Sequence, residues 1–198
     1  MSSQSVDLVV ASFGENLSWI KWVPKHWRVF VYNAKEGRTD FPEGVTPIHV
    51  PNGGREAGQY FQHLIRNYGD HSEYTIFIQG MPFDHSAKFL VELFTEEVPM
   101  SGPIRYIGGF PLPPVEFTLP VSGYFLDVLK RVYKDSKIPN PIPGNVGAQF
   151  YVRKDVILDH PKAVYKRFLN EAYAEHPLSF GHLIEPHWGC VFNWPKFV

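Results

Sequence analysis

Asp84 and His85, in the run GMPFDHS, are a carboxylate and an imidazole that follow an apolar stretch through a Gly/Pro turn. Side chains delivered this way can point into a cleft and hold a hard divalent cation, which needs only one or two carboxylates when phosphates and water complete its shell. The competing role for Asp84 is to cap a helix expected from Ser86. A second group, His182, Glu185 and His187, sits near the C-terminus, and the five-residue spacing of its histidines matches no zinc signature. The third is Asn52 to Glu56 (NGGRE), which opens a helix. Its backbone N–H groups and the Arg55 fork suit a phosphate. Equally, the segment is a turn and cap in which the helix dipole favours Glu56. It is neither a P-loop nor a dinucleotide fingerprint. Cys190 lies near His187 in sequence, but no Gly-x-Ser-x-Gly elbow occurs, and a buried, inert thiol is the simpler reading.

These groups need elements to position them. Val6–Ala11, Arg28–Asn33 and Tyr74–Gln79 (YTIFIQ) are short apolar runs bounded by turn residues and read as buried strands, with a weaker one over Val45–Val50. Glu15–Val23 reads as a helical turn stopped by Pro24, and Ala57–Tyr68 as an amphipathic helix closed by Gly69. Ser86–Phe94, Tyr124–Tyr133, Lys154–His160 and Pro161–Glu175 read as further helices, and Ala148–Arg153 as a late strand. Strand, connection and strand in alternation predict an α/β layer. In such a sheet ligands bind beyond the carboxyl ends of the strands. Each end here carries polar residues: Ser12, Phe13 and Glu15; Asn33; Arg55; then Gln79 and Asp84.

Composition bounds the rest. The 198 residues, 44% hydrophobic and 20% charged, suit one domain with a real core. The 16 glycines and 18 prolines exceed ordinary usage and gather beside aromatics, predicting long rigid loops, above all over residues 99–145. With 19 basic and 20 acidic residues, the net charge of −1 gives no global footprint for nucleic acid or an anionic membrane. A local groove from Lys130, Arg131, Lys134 and Lys137 remains available to modified nucleic acid. No apolar run approaches the roughly 20 residues of a membrane span, and the N-terminus lacks a signal-peptide pattern, so a soluble, cytoplasmic protein is expected.

Taken together, VVASFGENLSWI, VFVYN, PNGGREAGQYFQHLIRNY, YTIFIQGMPFDH and GAQFYVRKDVILDHP, with Tyr165, Glu185, Trp188 and Phe192 behind them, resemble a glycosyltransferase-like family built on a domain of unknown function. That family looks like a compact relative of nucleotide-sugar-dependent GT-A transferases. The resemblance implies a single-domain, Rossmann-like α/β fold with a mixed, mostly parallel sheet flanked by helices. It implies a UDP- or GDP-linked sugar donor and a divalent cation, Mn or Mg. Ser12, Phe13, Glu15 and Asn33 would lie by the nucleoside and Arg55 near the pyrophosphate. Asp84 and His85 stand where such enzymes carry Asp-x-Asp, a motif absent here, and Gln79 stands where an acidic residue is expected. His187 or His182 would complete the metal shell, and Gln149 and Trp188 would face the acceptor. Glu185, then Asp84, would be the base. Two alternatives are a non-catalytic nucleotide- or glycan-binding module and a metal-dependent hydrolase using Asp84, His85, His182 and His187.

Overall fold

The computed structural model of the chain describes residues 4–84, 89, 91, 102–107, 117–119, 123–134, 138, 142–144, 147–174 and 177–193. Among the described residues the eight strands are β1 (Val6–Ser12), β2 (Arg28–Asn33), β3 (Pro47–His49), β4 (Tyr74–Gln79), β5 (Ile104–Tyr106), β6 (Phe117–Leu119), β7 (Ile142–Gly144) and β8 (Phe150–Arg153). The helices are α1 (Glu56–Arg66), α2 (Gly123–Tyr133), α3 (Lys154–Leu158), α4 (Lys162–Ala172), α5 (Pro177–Ile184) and α6 (Trp188–Asn193).

Six strands form one sheet in the order β3-β2-β1-β4-β8-β5, and β6 and β7 form a separate antiparallel pair. β3, β2, β1 and β4 run parallel; β8 pairs antiparallel with both β4 and β5. The fold is a single-domain, mixed α/β fold, with the α/β layer that the alternating pattern predicts, and it is consistent with the Rossmann-like class that the resemblance implies. β1 is buried along its whole length. Its two faces feed two cores, because successive side chains of a strand point to opposite sides. Val9 and Ala11 join α1, α2, α4 and the C-terminal helices, while Leu8 and Val10 pack with Trp19, Trp27 and Ile76.

α1 forms where the apolar spacing requires it, with Tyr60, Phe61 and Leu64 fully buried. The glycines before it serve tight packing. A Cβ on Gly53 would lie 2.0 Å from the Tyr173 ring, one on Gly54 2.7 Å from Ala172 Cβ, and one on Gly58 1.9 Å from the Gly53 carbonyl oxygen. Within Glu15–Val23 the expected helical turn is present as a shorter 3-10 helix. This segment, Ser18–Trp22, is held by bonds from Ile20 N to Leu17 O and from Val23 N to Ile20 O, both 3.0 Å, before Pro24 ends it. The third strand shrinks to Pro47–His49, since the Val45 N–H turns back to Pro42 O. Within 99–145 lie β5 to β7 and α2, so that stretch carries regular structure as well as loops. β5 and β8 are clasped at one end of the sheet, where Ile107 N donates to Gln149 O at 2.9 Å. Among the described residues no helix is long and apolar enough to cross a membrane.

Candidate functional site

In the parallel part of the sheet β2 lies on one side of β1 and β4 on the other, which makes the carboxyl ends of β1 and β4 the topological switch point. A cleft of about 420 Å³ opens there. It is lined by Ala11, Ser12, Phe13 and Glu15 from the end of β1, by Asn52, Arg55, Glu56 and Gln59 from the start of α1, and by Gln79, Met81 and Asp84 after β4. Six predicted site residues therefore converge: Ser12, Phe13, Glu15, Arg55, Gln79 and Asp84.

The β1 wall is preorganised. Ser12 N donates to Gln59 Oε1 at 2.8 Å, the Ser12 hydroxyl lies 3.1 Å from Glu15 Oε2, and Phe13 N donates to the same oxygen at 2.7 Å. Arg38, buried, donates to the Ser12 hydroxyl and to Glu15 O, both at 2.7 Å. Glu15 thereby shapes the loop, and it fills the space over Gly80, where a Cβ would lie 2.5 Å from its Oε2. The Phe13 ring, 53% exposed, stands open at the rim.

Across the cleft, Arg55 has φ of 55° and ψ of −141°, a conformation few side-chain-bearing residues adopt. Such strain persists when the surroundings enforce it, and it gathers at ligand sites. The Arg55 side chain packs on Gly181 and donates from Nη1 to the His182 ring at 2.8 Å. Its Nε is 3.8 Å from Glu56 Oε2. Glu56 is nearly buried, and burial pushes its pKa up; its own backbone N–H, Arg55 and a hydrogen bond from Gln79 offset this in part, while Glu185 adds repulsion. Glu185, the first choice of base from the sequence, does not itself line the cleft. Gln59 and Arg38 were absent from the sequence-predicted set, and Glu56 entered it only as the last residue of the NGGRE turn. The signal for Glu56 was its place on the first turn of α1 beside Arg55; Gln59, one turn further, shares its face.

Other predicted members lie elsewhere. Asn33 is buried behind the cleft, donating to Lys35 O at 2.6 Å. Gln149 is buried and donates to Pro82 O at 3.2 Å, so it braces the turn that carries Asp84 instead of facing a ligand. Trp188 is a correction: it is fully buried against Tyr60, Phe61 and Phe150 and presents nothing to an acceptor. His187 is likewise a packed residue, its Nδ1 2.7 Å from Leu183 O and its ring 4.6 Å from Phe125. Burial lowers its pKa. It does not line the cleft. His85 and Lys137 lie outside the described residues. Of the expected basic groove, Arg131 is clamped by Glu171 at 2.7 Å and Lys130 lies 3.8 Å from Asp127. Cys190 is buried, and burial raises its pKa to about 12, so the thiol is inert.

No curated protein matches the chain. Residues 8–96 match the model of a family described as a protein of unknown function (DUF3431), and every residue lining the cleft falls within that stretch.

Proposed function

We propose that the cleft binds a UDP- or GDP-linked sugar and that the protein is a glycosyltransferase acting on an acceptor hydroxyl. The observation that carries this reading is the meeting of Ser12, Phe13, Arg55, Gln79 and Asp84 at the switch point of the sheet, where α/β folds bind nucleotides. The Phe13 ring offers a face for stacking a base or sugar. Arg55 supplies the guanidinium that neutralises charge building on the departing diphosphate. The amides of Gln59 and Gln79 read ligand hydroxyls.

Glu56 replaces Glu185 as first choice of base. A carboxylate whose pKa is raised toward neutrality accepts a proton efficiently. It would take the acceptor hydroxyl proton as that oxygen bonds to the anomeric carbon and the bond to the diphosphate breaks. The carboxylates of Glu15, Glu56 and Asp84 form no converged metal cluster among the described residues. Exposed Asp84 alone would hold Mn or Mg, with phosphate oxygens and water as the other ligands. Such an ion, when bound, would share the leaving group's charge.

Thermal-shift and calorimetric titrations with UDP- and GDP-sugars, with and without Mn or Mg, test the reading. A cognate donor at a hundred times its Kd adds about 2.7 kcal/mol, or roughly 5–10 °C for a chain of this size. Arg55→Ala should weaken the donor at least tenfold. No shift with any nucleotide sugar overturns the proposal. The missing Asp-x-Asp favours one second reading, a non-catalytic module, which would bind the donor without ever turning it over.

A further inference from the structure

At the opposite end of β1 from the cleft, roughly 17 Å away at about 3.3 Å per residue, lies a cluster that the proposed transfer does not use. Asp7, His63 and His71 are all buried, and one ligand atom from each lies within 4.8 Å of the others. They come from β1, from the last turn of α1 and from the connection to β4, so no local spacing announces them.

Buried polar atoms ordinarily have partners. Here His63 Nε2 has none, and His71 has no well-formed bond at either ring nitrogen, its one polar neighbour from the backbone being the Leu64 carbonyl. The other nitrogen of His63 is spoken for, with Nδ1 3.3 Å from the Tyr32 hydroxyl and 3.1 Å from Asn67 Nδ2. Ligation through Nε2 needs Nδ1 to donate its proton, as metal-binding imidazoles do; the Tyr32 hydroxyl can accept it, whereas the Asn67 amide nitrogen is a donor and must give up its contact with the ring. Burial drives the pKa of His63 down to about 3 and that of His71 to about 4, so both rings are neutral near pH 7, the form that ligates. His71 also borders a second pocket, of about 540 Å³, together with Ser5, Glu73 and Lys154, which is the side from which an ion would enter.

We propose that Asp7, His63 and His71 form a zinc-type metal site whose open position faces this second pocket. Two imidazoles and a carboxylate suit Zn²⁺ or Co²⁺ and disfavour Mg²⁺ and Ca²⁺, so the site differs in ion class from the one suggested at Asp84. Ligand atoms around a tetrahedral zinc stand about 3.3 Å apart, and binding draws the three side chains together. All four lone-pair positions of Asp7 are occupied: Arg28 Nε and Nη2 donate at 2.7 and 2.9 Å, and Ser72 N and Oγ at 3.0 and 2.7 Å. The rotatable Ser72 hydroxyl is the donor that yields its place, while Arg28 keeps the carboxylate oriented.

The test uses the full chain stripped with a chelator and titrated with Zn²⁺ or Co²⁺ alone. Calorimetry should give one Zn²⁺ per chain, and cobalt should show the intense visible bands of four-coordinate geometry. His63→Gln and His71→Gln should each weaken binding at least tenfold, Ser72→Ala should tighten it, and Asp84→Asn should leave it unchanged. Absence of stoichiometric binding to the folded wild-type protein overturns the proposal, as do six-coordinate cobalt spectra or affinity that both histidine variants retain. Should the histidine variants fail to fold, the wild-type cobalt spectrum and Ser72→Ala decide alone.

Discussion

Glu56 is retained in its buried position at a cost in stability. A carboxyl with a raised folded pKa binds its proton more tightly in the native state than in the unfolded chain. Between its ordinary value of 4.5 and the folded value the native state therefore holds more protons, and stability falls as pH rises through that window. Glu56→Gln keeps the shape and removes the charge. It should raise the melting temperature at pH 7 to 8 by a few degrees, with the gain vanishing at pH 4 and below, and abolish transfer while leaving donor affinity within a few fold. A melting curve of the variant against pH, beside its turnover, checks both halves. An unchanged pH dependence would show that Glu56 stays ionised without penalty. His187 and Trp188 teach the opposite lesson. Their residue types suit a site, yet Phe180, Ile184, Trp188 and Phe192 recur at four-residue intervals and are all buried, a helical core stripe that was there to be read in the sequence.

At the level of elements, the sequence resolves what local pattern determines. β2 and β4 have the predicted limits and β1 is longer by Ser12, because continuous apolar runs bounded by turn residues have few alternatives. α1 follows from its apolar spacing. β3, three residues at the sheet edge, has a weaker signal, and the expected Val45–Val50 overran it at both ends. The Asn52–Glu56 turn shows why the rest was hidden: its glycines answer to Ala172 and Tyr173, more than 110 positions away, which no local spacing announces. Gly58→Ala should accordingly destabilise by about 3 kcal/mol, since the added carbon meets fixed backbone, and should displace Arg55 enough to weaken the donor. Gly123→Ala, whose Cβ meets nothing within 4 Å, should be neutral or gain up to about 1 kcal/mol. Denaturant titration of the pair separates crowding from a general intolerance of glycine replacement.

For the whole molecule, the stretch that matches a family model is not an independent unit. α1 covers one face of the sheet, but its outer side rests on α4 and the C-terminal helices: Phe61 stacks on Phe168 at 5.0 Å and lies 5.3 Å from Trp188. β4 also needs β8 as its second neighbour. A fragment ending at residue 107 should therefore lack a cooperative thermal transition and show an unfolded amide spectrum, whereas the full chain melts once; a folded fragment would locate the stabilising core entirely before β8. The clasp between Ile107 and Gln149 has a consequence for how this architecture can diversify. Because β5 leaves the sheet and β8 re-enters it at the same rim, the two ends of the chain between them are already pinned, and α2 within it anchors a second point in the core. Doubling such a loop adds only about 0.6 kcal/mol of closure entropy. The chain can thus lengthen the connection between Ile107 and Phe117 without altering strand order or register, and chimaeras grafted at that seam would inherit the same foldable frame.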